Sequence, residues 1–173
     1  MFKQMLSFEL KAIGVVRVEL SDEEVKKSVD GVYGLVEVYP EYSDGLKEID
    51  GFSHLIIIAY LHKVNSEGRA VLKVKHRKWE KFGVSIDDLP EVGVFASDSP
   101  ARPNPIALSI VKLVKREGRV LYVEGLDLFN GTPVLDIKPY TPSRCISHVE
   151  VPLWYSELSS RIEKVIGRKL MSS

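Results

Sequence analysis

Phe8, Leu10 and Ala12 alternate with Ser7, Glu9 and Lys11, and this period of two predicts an opening strand. Ser21 and Glu24 then stand at the spacing of a capping box, which predicts a short helix over Asp22 to Lys27. Val32 to Tyr39, broken only by Gly34, reads as a second strand, and Tyr42 to Asp50 as a turn. His54 to His62 carries Ile, Leu and Tyr on both faces, so a central strand covered on both sides is expected there. Val71 to Lys75 and Gly93 to Ala96 predict shorter strands. From Ile106 to about Lys115 the apolar residues Ile106, Leu108 and Ile110 share one face; after the Glu117-Gly118 turn, Arg119 to Glu124 returns as a hairpin partner. Val134 to Lys138 supplies a last strand. Trp154, Leu158, Ile162 and Ile166 recur every four residues before Gly167, the pattern of an amphipathic helix over about 153–166 with a glycine C-cap. Its stripe is expected to pack on the body of the protein or on a second subunit.

Many short strands joined by Gly- and Pro-marked turns predict a mainly β chain, a small β-barrel or strongly curved antiparallel or mixed sheet with short helices and a C-terminal amphipathic helix. No helix is predicted between residues 92 and 138 and there is no GxGxxG turn, which argues against a doubly wound nucleotide-binding fold. With 173 residues, 45% of them apolar, one core is expected, so residues 1–173 read as a single domain whose barrel core covers about 8–150. Lys plus Arg and Asp plus Glu each number 24, so nucleic-acid binding has to come from local patches. Cys145, the one cysteine, excludes an internal disulfide and reads as a buried or incidental thiol. Lys3, Glu9 and Lys11 interrupt the N-terminal apolar residues, and the apolar run Leu55 to Leu61 falls far short of the roughly 20 residues that span a bilayer. A soluble, cytoplasmic protein without membrane contact is expected.

Two segments carry candidate chemistry. Ser97 to Pro105 holds three prolines among polar residues, and each fixes its own φ and restricts the residue before it, so Ser99, Arg102 and Asn104 are held extended. Such a loop presents side chains at little entropic cost; alternatively, Arg102 and Asn104 satisfy neighbouring backbone groups in a rigid connection. Asp127 to Pro133 contains Asn130-Gly131, a turn signal in its own right. On the strand after it, Asp136 and Lys138 share a face and either line a polar cavity or, the commoner outcome, sit in solvent. His54 and His62 lie about 26 Å apart along one strand at roughly 3.3 Å per residue, so they share no metal ion, and none is expected. The run Lys73 to Lys81 joins cations to Trp79, a pairing suited to phosphate contact and base stacking, although a solvated charged loop is the commoner reading.

These segments together resemble a known family. Gly93 to Ser109, GVFASDSPARPNPIALS, is similar to the signature GVFATRSPxRPNPIGLS of the TrmO (TsaA-like) family. Asp127 to Tyr140 resembles its second signature, and Gly51 to Leu55 with His62-Lys63 a third, in the family's order and within about residues 8–150. The resemblance implies a β-barrel, typically a homodimer, that binds S-adenosylmethionine and methylates N6 of threonylcarbamoyl adenosine at tRNA position 37. It places cofactor contacts at His62, Lys63, Leu108, Asp127, Leu128, Phe129 and Asn130. The chain departs from the pattern at Asp98, where the family has Arg, at Asn130, where it has Asp, and at Val29 to Tyr33, where a Pro-Arg-Gln loop is usual.

From residue type and the signatures, Asn104 is the first candidate to accept a hydrogen bond from the adenine N6 amine. Asp136 is the second, and also a candidate for the released proton. Arg102 and Lys138 are expected to hold phosphate or the carboxylate of a threonylcarbamoyl group, with Tyr140 beside them on the substrate side. A non-catalytic RNA- or nucleotide-binding barrel and methyl transfer to another acceptor are the competing expectations.

Overall fold

A computed structural model describes residues 6–75, 77–85, 87 and 89–167, the side chains of Lys78 and Lys81 excepted. Lys3, and His76 within the run Lys73 to Lys81, lie outside the described residues. By contact the chain divides into two compact units, Met1–His62 with Ile106–Tyr140 and Lys63–Pro105 with Thr141–Ser173.

The first unit is a closed six-stranded barrel. Its elements are β1 (Gly14–Arg17), α1 (Asp22–Lys27), β2 (Val32–Val38) and β3 (His54–Tyr60). Its later strands are β6 (Ile106–Glu117), β7 (Val120–Leu126) and β8 (Pro133–Pro139), while β4 (Lys73–Lys75) and β5 (Glu91–Gly93) belong to the second unit. The strands follow the order β1-β2-β7-β6-β3-β8, with β8 returning to β1 and every pair antiparallel. Closure leaves no unpaired edge. Val16, Val36, Leu55, Ile57, Ala59, Val111, Leu121, Val123 and Val134 fill the interior at 0% exposure. The capping box of α1 forms as expected, with Ser21 and Glu24 reciprocating. At the crossing of β2 and β7 the backbones nearly touch: a Cβ on Gly31, whose φ is +75°, would lie 2.4 Å from the carbonyl carbon of Gly125.

The opening strand expected around Phe8 to Ala12 is not formed. Phe8 and Leu10 are exposed, and the ladder begins at Ile13, whose N–H donates to Val134 O at 2.8 Å and whose carbonyl accepts from Tyr39 N–H at 2.9 Å. Alternation shows that a segment suits a pleated surface, but a strand also needs a neighbour in register, and pairing among the described residues starts only there.

The second unit holds α2 (Ser66–Ala70), β4 (Lys73–Lys75), β5 (Glu91–Gly93) and α3 (Leu153–Ile166). The strand expected over Gly93 to Ala96 stops at Gly93 and turns into a 3-10 segment, Val94–Ala96, because the Val94 carbonyl leaves the ladder for the loop described below. The stripe of α3 packs within its own unit: Leu158 and Ile162 are buried with Trp79, Phe82, Val84 and Leu89, and Tyr155 and Ile166 flank them. Gly167 caps the helix at φ +68°, as its position predicts. Trp79 corrects one expectation. It is 3% exposed, its ring 6.2 Å from those of Phe82 and Tyr155, so the aromatic of the basic run belongs to a core and is not a stacking platform.

Candidate functional site

Register places most of the cofactor candidates at one end of the barrel. β3 runs out at Tyr60, which pairs with Ile106 at the start of β6, and His62 follows it. Leu108 is the third residue of β6, and β7 runs out at Leu126, immediately before the bend Asp127–Asn130 that leads into β8. Ala59 pairs with Val134 at the start of β8, so all these chain ends face the same way.

The bend is tied down at each residue. Ser109, inward-facing and 4% exposed, donates its hydroxyl to Asp127. Leu128 is buried in the barrel core, and Phe129 packs against that core with the Lys26 ammonium 5.7 Å from its ring centre. Asn130 Oδ1 accepts the Val18 N–H at 3.2 Å, Gly131 N–H donates to Val16 O at 2.9 Å, and Val16 N–H donates to Thr132 O at 2.9 Å. Gly131 has φ +80°, the conformation that the Asn-Gly pair announces. Among these residues Ser109 is one that motif reading missed. Its signal was present, as the polar member of the inward row Ala107, Ser109, Val111 and Leu113.

The face of β6 that carries Ile106, Leu108 and Ile110 is the outer one, with exposures of 39%, 63% and 48%. Across it the register runs Asp136, Ile58, Leu108 in one row and Lys138, Ile56, Ile110 in the next. Asp136 and Lys138 pair at 2.6 Å on this half-exposed face, each side chain 45% accessible. The Asp136 carboxylate also accepts the Ile137 N–H at 2.9 Å. Tyr140 stands apart: its N–H donates to His54 O at 3.0 Å, at the opposite end of β3 from His62.

Two arginine–carboxylate clusters lie elsewhere on the barrel. Hydrogen bonds from Arg17 and then Arg119 hold the Glu37 carboxyl below the usual range, and the Arg116 fork does the same to Asp50. Asp50, Phe52, Ser53, Lys115 and Arg116 line a shallow depression at the far barrel end, away from the cofactor candidates.

The second unit carries Lys63, Arg102 and Asn104. Lys63 and Asn104 are exposed, as is Asp98. Arg102 is half-buried and turned onto its own loop: Nε donates to Ser99 O at 2.8 Å, and Nη2 donates to Val94 O at 2.9 Å and to Ser97 O. The donors expected to reach an anion thus brace the proline-rich segment. Cys145 is exposed, not buried. Among the described residues no group of His, Cys, Asp and Glu is arranged to hold a metal ion, and no helix is long and apolar enough to cross a membrane.

The family model "tRNA-methyltransferase O N-terminal domain" matches residues 24–144. A "Probable S-adenosyl-L-methionine-binding protein" of Pyrococcus abyssi is 46% identical over 111 residues, which make up 64% of this chain and 54% of that protein. The "tRNA (adenine(37)-N6)-methyltransferase" of Escherichia coli is 32% identical over 150 residues, 80% of this chain and 60% of the relative. The chain therefore spans a little over half the length of these relatives. A crystal structure of TrmO superposes with a TM-score of 0.62 at 27% identity, covering 84% of this chain and 64% of that one.

Proposed function

Because the chain belongs to the tRNA-methyltransferase O N-terminal-domain family, we propose that it transfers a methyl group from S-adenosylmethionine to N6 of the adenine at tRNA position 37, threonylcarbamoyl adenosine being the form it accepts. The observation that carries this reading is the gathering of His62, Leu108 and the braced bend Asp127–Asn130 at one barrel end, with Asp136 in Leu108's own row.

These residues fit the cofactor chemically. Leu108 offers exposed apolar surface to a ring or a thioether chain, and Asp127 and Asp136 offer negative charge to a cation. When bound, S-adenosylmethionine supplies an activated methyl on a positively charged sulfur. Ser109 holds Asp127 in place, and Asn130, whose carbonyl oxygen is committed to Val18, shapes the bend. His62 and Lys63, adjacent in sequence, complete the proposed contacts.

An exocyclic adenine amine is a poor nucleophile because its lone pair is delocalised into the ring. An oxygen that accepts an N6 hydrogen bond favours the form in which that pair is free, and it stabilises positive charge developing on nitrogen. We assign this task to Asn104 or Asp136, and to Asp136 the proton that N6 releases once its lone pair holds the methyl carbon. Lys138, paired with Asp136, remains in reach of a substrate anion; Arg102 serves the site by bracing its loop, and Tyr140 contacts RNA away from the cofactor end. The same reading makes the protein a cytoplasmic homodimer.

The test is mass spectrometry of nucleosides from threonylcarbamoylated tRNA incubated with the protein and S-adenosylmethionine, with calorimetry of cofactor binding alongside. A methylated nucleoside that disappears in Asp136→Ala or Asn104→Ala, with cofactor affinity retained, supports the assignment. Absence of cofactor binding up to millimolar concentration sinks it in favour of a non-catalytic barrel, the reading that Asp98 in the place of an arginine favours.

A further inference from the structure

We propose that Phe95, at the end of the β4–β5 ribbon, is a base-stacking platform for an unpaired nucleotide, with the lysines of the ribbon against the neighbouring phosphates. This rests on the tRNA reading above and adds to it the surface that grips the RNA.

Phe95 is 84% exposed, the highest value for a large apolar side chain among the described residues. Burying such a ring is favourable, so leaving it in water forgoes that gain. The backbone beside the ring is tied down by hydrogen bonds. Val94 is 1% exposed and its N–H donates to Leu72 O at 3.0 Å. Its carbonyl receives Ser97 N–H at 3.3 Å, the Ser97 hydroxyl at 3.1 Å and Arg102 Nη2 at 2.9 Å. Arg102 then ties in Ser97 O and Ser99 O. A ring on such a pedestal loses little freedom when something stacks on it.

The surroundings point to an anionic partner. Lys73 pairs in register with Gly93, two residues before Phe95, and the residue before Lys73, Leu72, is 61% exposed. Lys73 itself is 73% exposed, and its contact with Glu91 at 3.4 Å is a surface ion pair that a phosphate can replace. The neutral net charge of the chain hides a division. The unit that carries Phe95 contains 13 Lys and Arg against 9 Asp and Glu, net +4, whereas the barrel unit contains 11 against 15, net −4. Five of those 13 cations fall between residues 73 and 81. A polyanion is drawn to the unit that presents the ring. Bases inside a duplex have both faces covered by their neighbours, so the ligand is a single-stranded loop.

The experiment measures binding of an anticodon stem-loop RNA and of a blunt duplex of equal length by fluorescence anisotropy, with cofactor calorimetry and sedimentation in parallel. Phe95→Ala is expected to weaken stem-loop binding roughly 5- to 150-fold, the range set by about 1–3 kcal/mol per stacked base. Phe95→Trp is expected to restore it, with duplex binding and cofactor affinity unchanged, and Lys73→Gln to lower the salt slope by about 0.7. Unaltered stem-loop affinity in Phe95→Ala overturns the proposal. So does a loss confined to cofactor affinity, or a change of oligomeric mass alone, which would assign the ring to the cofactor or to a second copy. If the wild-type protein binds no stem-loop at all, the tRNA reading fails, and this surface with it.

Discussion

Ser109, pointing into the barrel from β6, donates its hydroxyl to Asp127 at the end of β7, so the interior of the barrel holds the first residue of the Asp127–Asn130 bend. Ser109→Ala removes that donor while leaving Asp127 access to water. The expected cost is about 1–2 kcal/mol of unfolding free energy, read in urea, together with a several-fold weaker cofactor Kd in calorimetry. If stability falls and affinity does not, the bond supports the fold alone.

Arg102→Gln separates a brace from an anion contact. Because its donors go to Ser99, Val94 and Ser97 carbonyls, the variant should be cut faster by protease between residues 97 and 105, while the salt dependence of tRNA binding stays as in wild type. A slope reduced by roughly 0.7–0.9 would instead place a phosphate on Arg102.

Gly31→Ala and Gly118→Ala test the close approach of β2 and β7. Both glycines have positive φ, but only a Cβ at Gly31 meets backbone, whereas Gly118 has nothing within 4 Å. Gly118→Ala should cost about 1 kcal/mol for the left-handed conformation alone. Gly31→Ala should cost at least about 2 kcal/mol more, since neither backbone can move without breaking the ladder. Equal costs in chemical denaturation would contradict the clash.

Glu37 gives the stability a pH dependence of known sign. Hydrogen bonds from Arg17 and Arg119 lower its carboxyl below the unfolded value, near 4.3. Its contribution is therefore complete above that value and lost as pH falls through the depressed one. The stability difference between wild type and Glu37→Gln should be constant from about pH 7 to pH 5 and shrink toward zero in stronger acid. A difference that persists at the lowest pH would show that packing, not charge, is being measured.

Elements whose identity depends on local chemistry were legible in the residues: the capping box of α1, the Gly167 cap of α3, the positive φ at Gly131 and the run of strands from Ile106 to Pro139. The turn expected at Tyr42 to Asp50 takes a 3-10 form over Pro40–Leu46 that the pattern did not show, and the 3-10 segment Arg77–Phe82 and the short α2 escaped notice because too few residues repeat in them to show a period. Phe8 and Trp79 show the limit from the other side. Alternation around Phe8 signals a strand that lacks a partner, and the cations around Trp79 conceal that its ring belongs to the core beneath α3.

By itself the sequence determined the class of the fold, the turns marked by glycine, the family and the candidate segments, because these follow from short-range periodicity, backbone preference and motif. Only the tertiary structure decided that the strands close in the order β1-β2-β7-β6-β3-β8, that the Leu108 face is outward, that Arg102 bonds its own loop and that the exposed ring is Phe95. Those are questions of which distant residue a group meets. The answer comes from the competition of all such contacts for a limited interior, which no local pattern records.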